Sequence, residues 1–569
     1  MKKFFTGIFN RINKLDSYTN QYMSITNNIE IPAIAFTNWG MHFAQIKDFD
    51  TAIEKLETAI LMSNQNPKPC ISLGIIYAKL KEYEKAENIL KKAIYRDSQN
   101  AYAYSVLSSV LVAMDKFEEA ENALKMATKL SPTDSEVFFN YGMLFAKQQK
   151  KLKAIEMLKK SKMLNPTNLH TYFLLGIMFF ETNQTPEAFN EFKQLEKIKP
   201  DYKNLKYYIA LCYKKEKNYF AVIEYAQRAI EEDPYNPSVN TLLAQSYLIT
   251  NKEKECLETF ENAHNKGIET ADFYLAWGSS LLKTNRIEEA KEKLQTALEK
   301  QPNNHNILHR LGNCYFKEKN YEEAENLYKK AIEKFPTDSY IHADIGMLNY
   351  EQKRYDDAIK AYLSAINISK EKSYLYFYVA NCYYKLGRLK KSIEYYEKTI
   401  EYYPAHLEAF INYSLNLLDL NNTKEALRKI RNASQINRKS TKVMLIYSLI
   451  ELKNGLYNEA IEKIDSLLEQ ESENTEAKFI KIQALISLRK PQEAIAIIHS
   501  IPENKQNSQL FIYLNYLAYK ILVEDSPSNY NENMLNSYAE KLSEENFDYS
   551  EDNEMAAYIH KTLNINKGH

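Results

Sequence analysis

Glycine is scarce in this chain, 12 in 569 residues. Glycine serves tight turns and weakens helix interiors, so a long chain with so little of it suits an almost wholly helical fold. Long apolar runs are missing as well. No stretch of 18 or more apolar residues occurs, which argues against a transmembrane helix. Neither sign of charge dominates, with 74 Lys plus Arg against 74 Asp plus Glu. That balance gives no global field favouring nucleic acid or an anionic bilayer. Cysteine is sparse: Cys70, Cys212, Cys256, Cys314 and Cys382 are dispersed, with no C-x-x-C pair. An odd set of scattered thiols argues against a disulfide framework and for a reducing compartment, so a cytoplasmic protein is expected. The phosphate-loop, dinucleotide, zinc-protease and nucleophile-elbow motifs are all lacking. No enzyme activity and no cofactor are therefore expected. His305 and His309 stand four apart, a spacing that suits a metal, but neither has a cysteine or a suitably placed carboxylate nearby in sequence.

What the chain does have is a constant stride. Count 34-residue blocks from Ala33, so that His305 opens one of them. Position 8 is then Gly40, Gly74, Ser108, Gly142, Gly176, Ala210, Ala244, Gly278, Gly312, Gly346, Ala380, Ser414, Ser448 and Ile482. All but the last are small. Position 20 is Ala in most blocks, from Ala52 through Ala324 to Ala494, with Val222, Cys256 and Ser392 as exceptions. Large residues fill position 7 (Trp39, Leu73, Leu311) and position 24 (Leu56, Leu158, Phe192, Tyr328, Tyr362, Tyr396). Proline recurs at position 32, as in Pro132, Pro302 and Pro336, where it ends a helix before the next block. Each block reads as two amphipathic helices, A and B, joined by a polar turn such as Glu318-Lys319-Asn320. A glycine inside helix A costs about 1 kcal/mol against alanine. Its recurrence at position 8 implies that helix B approaches too closely for a larger side chain.

The block 305–338, with Leu308, Leu311, Gly312, Tyr315, Ala324, Tyr328, Ala331 and Pro336 in place, resembles the tetratricopeptide repeat. The resemblance covers about fourteen tandem units over 33–508. It implies an all-α fold, a right-handed α-solenoid superhelix of tandem helix–turn–helix repeats. Residues 1–32 lie outside the array. There Phe4, Phe5, Ile8, Phe9, Ile12 and Leu15 recur at helical spacing beside Lys2, Lys3, Arg11 and Lys14. They read as an amphipathic capping helix, and as the one place where membrane contact is expected. The apolar block Phe4–Phe9 is too short for a secretory signal core. Residues 509–569 read as a degenerate repeat and capping helices: an apolar helix at Gln509–Val523, a weaker one near Asn531–Leu542, and a last short one at Met555–Leu563.

In such arrays the A helices line a groove, and positions 2, 5, 6, 9, 12 and 13 face it. The resemblance therefore implies a non-enzymatic scaffold that binds proteins or peptide segments, without nucleic acid or cofactor. Phe139, Phe173, Phe180, Tyr207, Phe316, Tyr350, Phe377 and Tyr384 bring rings to these positions. Lys79, Lys147, Lys215, Lys283, Lys317, Lys385 and Lys453 form a row at position 13. Some members grip a peptide's terminal carboxylate with a five-residue clamp. Asn381, Asn412 and Lys442 match three of its places, whereas Phe377 and Ile446 stand in the other two. The candidate protein-binding residues are Phe316, Lys317, Phe377, Asn381, Tyr384, Lys385, Asn412 and Lys442. A second function class is a substrate-recruiting accessory subunit of a glycosyltransferase or of secretion or assembly machinery. The asparagine ladder at position 6 of one glycosyltransferase branch is reduced here to Asn38, Asn140 and Asn412.

Overall fold

The computed structural model describes residues 30–502, 506 and 509–544. The patterns at Phe4–Leu15 and Met555–Leu563 lie outside them. Among the described residues there is no strand. The chain divides into two compact units between Trp277 and Gly278, within the helix Ala271–Lys283. The first unit runs from helix A of the first repeat, Glu30–Gln45, paired with Phe49–Met62, to the pair Pro237–Ile249 and Glu253–Asn265. The second contains the pairs from His305–Lys317 with Tyr321–Lys334 to Thr475–Ser487 with Pro491–Ile498. In both units each helix packs on its neighbours in sequence, as a solenoid requires.

The small residue at position 8 does what its spacing implies, with one refinement. What fills the space is the position-24 side chain of the same repeat. A Cβ added at Gly142 would lie 2.6 Å from Leu158 Cγ, and one at Gly312 2.6 Å from Tyr328 Cε1. Ala52, Ala154, Ala324 and Ala494 at position 20 are wholly buried in the same crossings. Once paired, two helices still leave an apolar side, which the next pair covers. In the second unit one continuous core runs from Phe377 through Leu449 and Phe479 to Leu514 and Leu542. Helices Gln509–Asp525 and Asn529–Glu544 belong to it, and Arg489 of the last repeat reaches Glu524 at 3.0 Å and Asp525 at 3.1 Å.

Two positions carry structural duties that their composition hides. Position 15 is left-handed in every repeat, from Lys47 (φ 64°) through Lys319 (φ 61°) to Arg489 (φ 55°), and only Gly387 and Gly455 are glycines there. A left-handed residue stops helix A and frees backbone N–H groups to close it. Thus Asn320 N donates to Tyr315 O and Lys319 N to Phe316 O, both at 2.9 Å.

Position 34 caps the following helix A. Asn100 Oδ1 accepts from Ala103 N (3.1 Å), Asn304 Oδ1 from Asn306 N (3.0 Å), Asp338 Oδ1 from Tyr340 N (2.8 Å) and Asn474 Oδ1 from Ala477 N (2.9 Å). Where position 34 is Tyr202 or Lys372, the next helix starts irregularly. After Tyr202 the chain takes a left-handed Asn204 (φ 64°) before the helix begins at Leu205. Around Lys372 it forms the 3-10 turn Lys370–Leu375 instead. Removal of a cap should be felt locally. Asp338→Ala is expected to cost about 1 kcal/mol, read as a lower urea midpoint and faster amide exchange at 339–345.

Candidate functional site

The A helices place a cavity of about 350 Å³ in the first unit. Three successive A helices line it: Leu205–Lys215 with Tyr207, Leu211 and Lys214, Pro237–Ile249 with Ser238, Thr241 and Gln245, and the start of Ala271–Lys283 with Asp272 and Phe273. Most of these residues hold positions 2, 5, 9 and 12, the places that face the groove in this type of repeat. Its lining mixes two rings and two leucines with hydroxyls, an amide, an ammonium and a carboxylate. Burial pushes the Tyr207 phenol above its usual range, so it is a neutral hydrogen-bonding group at physiological pH. Rings that bury side chains, beside amide and hydroxyl groups that hold a backbone, suit a peptide segment.

The residues expected at the binding surface of 305–453 divide into two groups. Phe377, Asn381 and Asn412 are buried, which corrects their assignment to an open face. Phe377 lies 4.7 Å from the His406 ring and 6.2 Å from that of Tyr396. Asn381 Oδ1 accepts from Tyr396 OH at 2.7 Å and from Asn412 Nδ2 at 3.2 Å. Lys442 Nζ is engaged by Glu408 Oε2 at 2.6 Å. Asn381 and Asn412 thus bond to each other inside the protein, and the Lys442 ammonium is held in a partly exposed ion pair. Position 9 shows the cause: it is partly open or exposed at Met143, Ile177, Leu211, Asn313 and Met347, but shut at Asn381, Leu415 and Leu449.

The others remain at the surface. Phe316 is half-buried, 5.8 Å from the Tyr321 ring, and Lys317 is exposed with Nζ 3.1 Å from Asn285 Oδ1. Lys215 repeats that bond to Asn183 Oδ1 at 3.2 Å. These two lysines of the row therefore link position 13 to position 15 of the preceding repeat. Tyr384 OH donates to Asp419 Oδ2 at 2.6 Å. Lys385 has Lys353 in the equivalent place, and partial burial together with that like charge lowers its pKa. His309 does meet a carboxylate, one repeat away: its Nε2 lies 2.6 Å from Asp344 Oδ2. His305 stacks on Phe335 at 4.8 Å instead.

Residues 281–344 and 451–512, 320–374, and 373–406 match three family descriptions, each of the tetratricopeptide repeat. The chain is a tetratricopeptide repeat protein. Residues 15–202 of this repeat protein match the C-terminal domain of cilia and flagella-associated protein 70. Among solved structures, the array is similar to the APC/C hetero-tetramer Cut9–Hcn1 at 15% identity, covering 80% of this chain and 96% of that one, with a TM-score of 0.39. It is also similar to a tetratricopeptide repeat protein of Parabacteroides merdae, at 17% identity over 44% of this chain and 98% of that one (TM-score 0.35). PilF of Pseudomonas aeruginosa is similar at 17% identity over 36% of this chain and 94% of that one (TM-score 0.34). No curated protein matches the repeat protein. No helix among the described residues is long and apolar enough to cross a membrane.

Proposed function

We propose that this tetratricopeptide repeat protein is a non-catalytic, cytoplasmic scaffold that holds peptide segments of partner proteins against its A helices. The cavity among Tyr207, Thr241, Gln245 and Phe273 is the observation that carries this reading. It offers apolar contact and several hydrogen-bonding groups within one lined hollow, on the positions where such repeats take their ligands. Phe316, Lys317, Tyr384 and Lys385 supply a second stretch of accessible rings and ammonium groups for the same purpose. The likeness of residues 15–202 to a cilia and flagella-associated protein names the first partners to try, proteins of such assemblies.

A peptide-display selection on the full chain, followed by anisotropy titration of the peptides it yields, tests the proposal. Thr241→Arg puts a long charged side chain into the cavity from an accessible helix position, so the fold is kept while the space is filled. Affinity is expected to fall by about tenfold or more, the effect of losing one well-placed contact region. Selected peptides that bind the variant as tightly as the original chain would defeat the assignment of the cavity.

A further inference from the structure

The backs of the B helices in repeats 67–168 carry a pattern that peptide binding on the A helices does not use. Positions 26 and 29 stand three apart, so they share a helix face. They read Lys92 and Tyr95, then Met126 and Lys129, then Lys160 and Met163. Each repeat presents one lysine and one large apolar side chain, with the order swapped from one repeat to the next. All six are exposed: Tyr95 is 91% accessible, Met163 81% and Met126 39%. Leu61, at position 29 of the preceding repeat, is 83% accessible.

Charge on this band is one-sided. The last ten residues of each B-helix block, 89–98, 123–132 and 157–166, hold Lys91, Lys92, Arg96, Lys125, Lys129, Lys159, Lys160 and Lys162 against Asp97 alone. Lysines near a helix C-terminus complement its dipole. The dipole does not account for tyrosine and methionine standing in water beside them. In several later repeats position 29 is acidic, as in Glu231, Glu299, Glu333 and Glu401. In repeats 67–168 no acid holds that place. Lys125 and Lys160 have intrahelical partners in Glu121 (3.1 Å) and Glu156 (3.2 Å), whereas Lys92 and Lys129 form no ion pair among the described residues.

We infer that this checkered basic and apolar band is a second docking surface, for an acidic amphipathic segment of a partner protein laid across the three B helices. Charge complementarity selects the acid. Tyr95, Met126 and Met163 select an apolar side chain beside each carboxylate. Each B helix packs on the A helix that follows it, and the same two positions recur on each of the three, so an extended segment crossing them would meet one lysine–apolar pair per B helix. A flat anionic bilayer fits less well. The first turns of Tyr83–Arg96 and Phe117–Leu130 carry exposed Glu84, Glu118 and Glu119, and a bilayer wide enough to cover the basic band would also meet these acids.

The test uses the full chain and a fluorescein-labelled acidic peptide repeating Glu-Leu-Ser, which sets an apolar side chain beside each carboxylate along its length. Binding is expected to weaken as salt rises. The triple variant Lys92→Glu, Lys129→Glu, Lys160→Glu should bind about tenfold or more weakly, and Tyr95→Ser with Met163→Ser should also lose affinity. Thr241→Arg should leave this peptide's affinity unchanged, which separates this surface from the A-helix cavity. Unaltered circular dichroism shows that the surface variants fold. Absence of peptide binding, equal affinity in the triple variant, or binding to anionic vesicles but not to the peptide would each overturn the inference.

Discussion

Gly312→Leu is expected to destabilise the second compact unit by about 3 kcal/mol or more, among the largest effects of any single change in this array. The added Cβ would lie 2.6 Å from Tyr328 Cε1 and 2.8 Å from Cδ1 before the rest of the leucine is placed. Tyr328 has no room to give way, because it is 1% exposed and its hydroxyl is fixed to Asn313 Oδ1 at 2.7 Å. The better helix propensity of leucine returns only about 1 kcal/mol. One carbon is tolerated at an equivalent crossing: Ala380 stands at position 8 with Tyr396 at position 24, and both are buried. Gly312→Ala should therefore be much milder, and Gly312→Leu combined with Tyr328→Ala should recover part of the loss. Urea unfolding, with amide exchange read over 305–338, distinguishes these outcomes. An unchanged midpoint in Gly312→Leu would mean that the gap between the paired helices is not enforced by this contact.

Tyr396→Ala is expected to cost about 3–5 kcal/mol. The ring is 1% exposed and packs 6.2 Å from both Phe377 and Tyr413, so its loss opens a cavity in the core of the second unit. Its hydroxyl also supplies a donor to buried Asn381, and burial keeps that hydroxyl protonated by pushing its pKa far up. Tyr396→Phe separates the two roles. It retains the ring and removes one hydrogen bond, for about 1 kcal/mol. Thermal and urea unfolding of the three proteins should rank wild type, Phe and Ala in that order. A Phe variant as unstable as Ala would place the energy in the Asn381 and Asn412 network and not in the ring.

The repeat's stride was legible because size alternates at fixed positions. Small residues at 8 and 20, a large one at 24 and proline at 32 report packing directly, and packing tolerates few substitutes. The turn was less legible. A left-handed residue invites glycine, but most position-15 residues are Lys, Asn, Asp, Gln or Arg, so Gly387 and Gly455 alone gave it away. The caps at position 34 were hidden in plain polar residues, and with them the irregular starts after Tyr202 and at Lys372. Groove numbering took in Tyr207, which lines the cavity. It put Phe377, Asn381 and Asn412 on an open face, because a position in a repeat says which way a side chain points, not how tightly the adjoining repeats close over it. The cavity residues Thr241 and Gln245 had a signal in those same position numbers, but no unusual residue type drew attention to them, and Phe273, at position 3, had none.

The capping rule at position 34 bears on how such a chain can change length over evolutionary time. An unequal crossover between two copies of the repeat in the gene removes or adds a whole block, and the block upstream of the junction still ends in the side chain that starts the next helix. The tight contact between positions 8 and 24 also travels intact, since both partners lie inside one block. Copy number can drift without any new junction having to be invented, and selection on reach is decoupled from selection on folding.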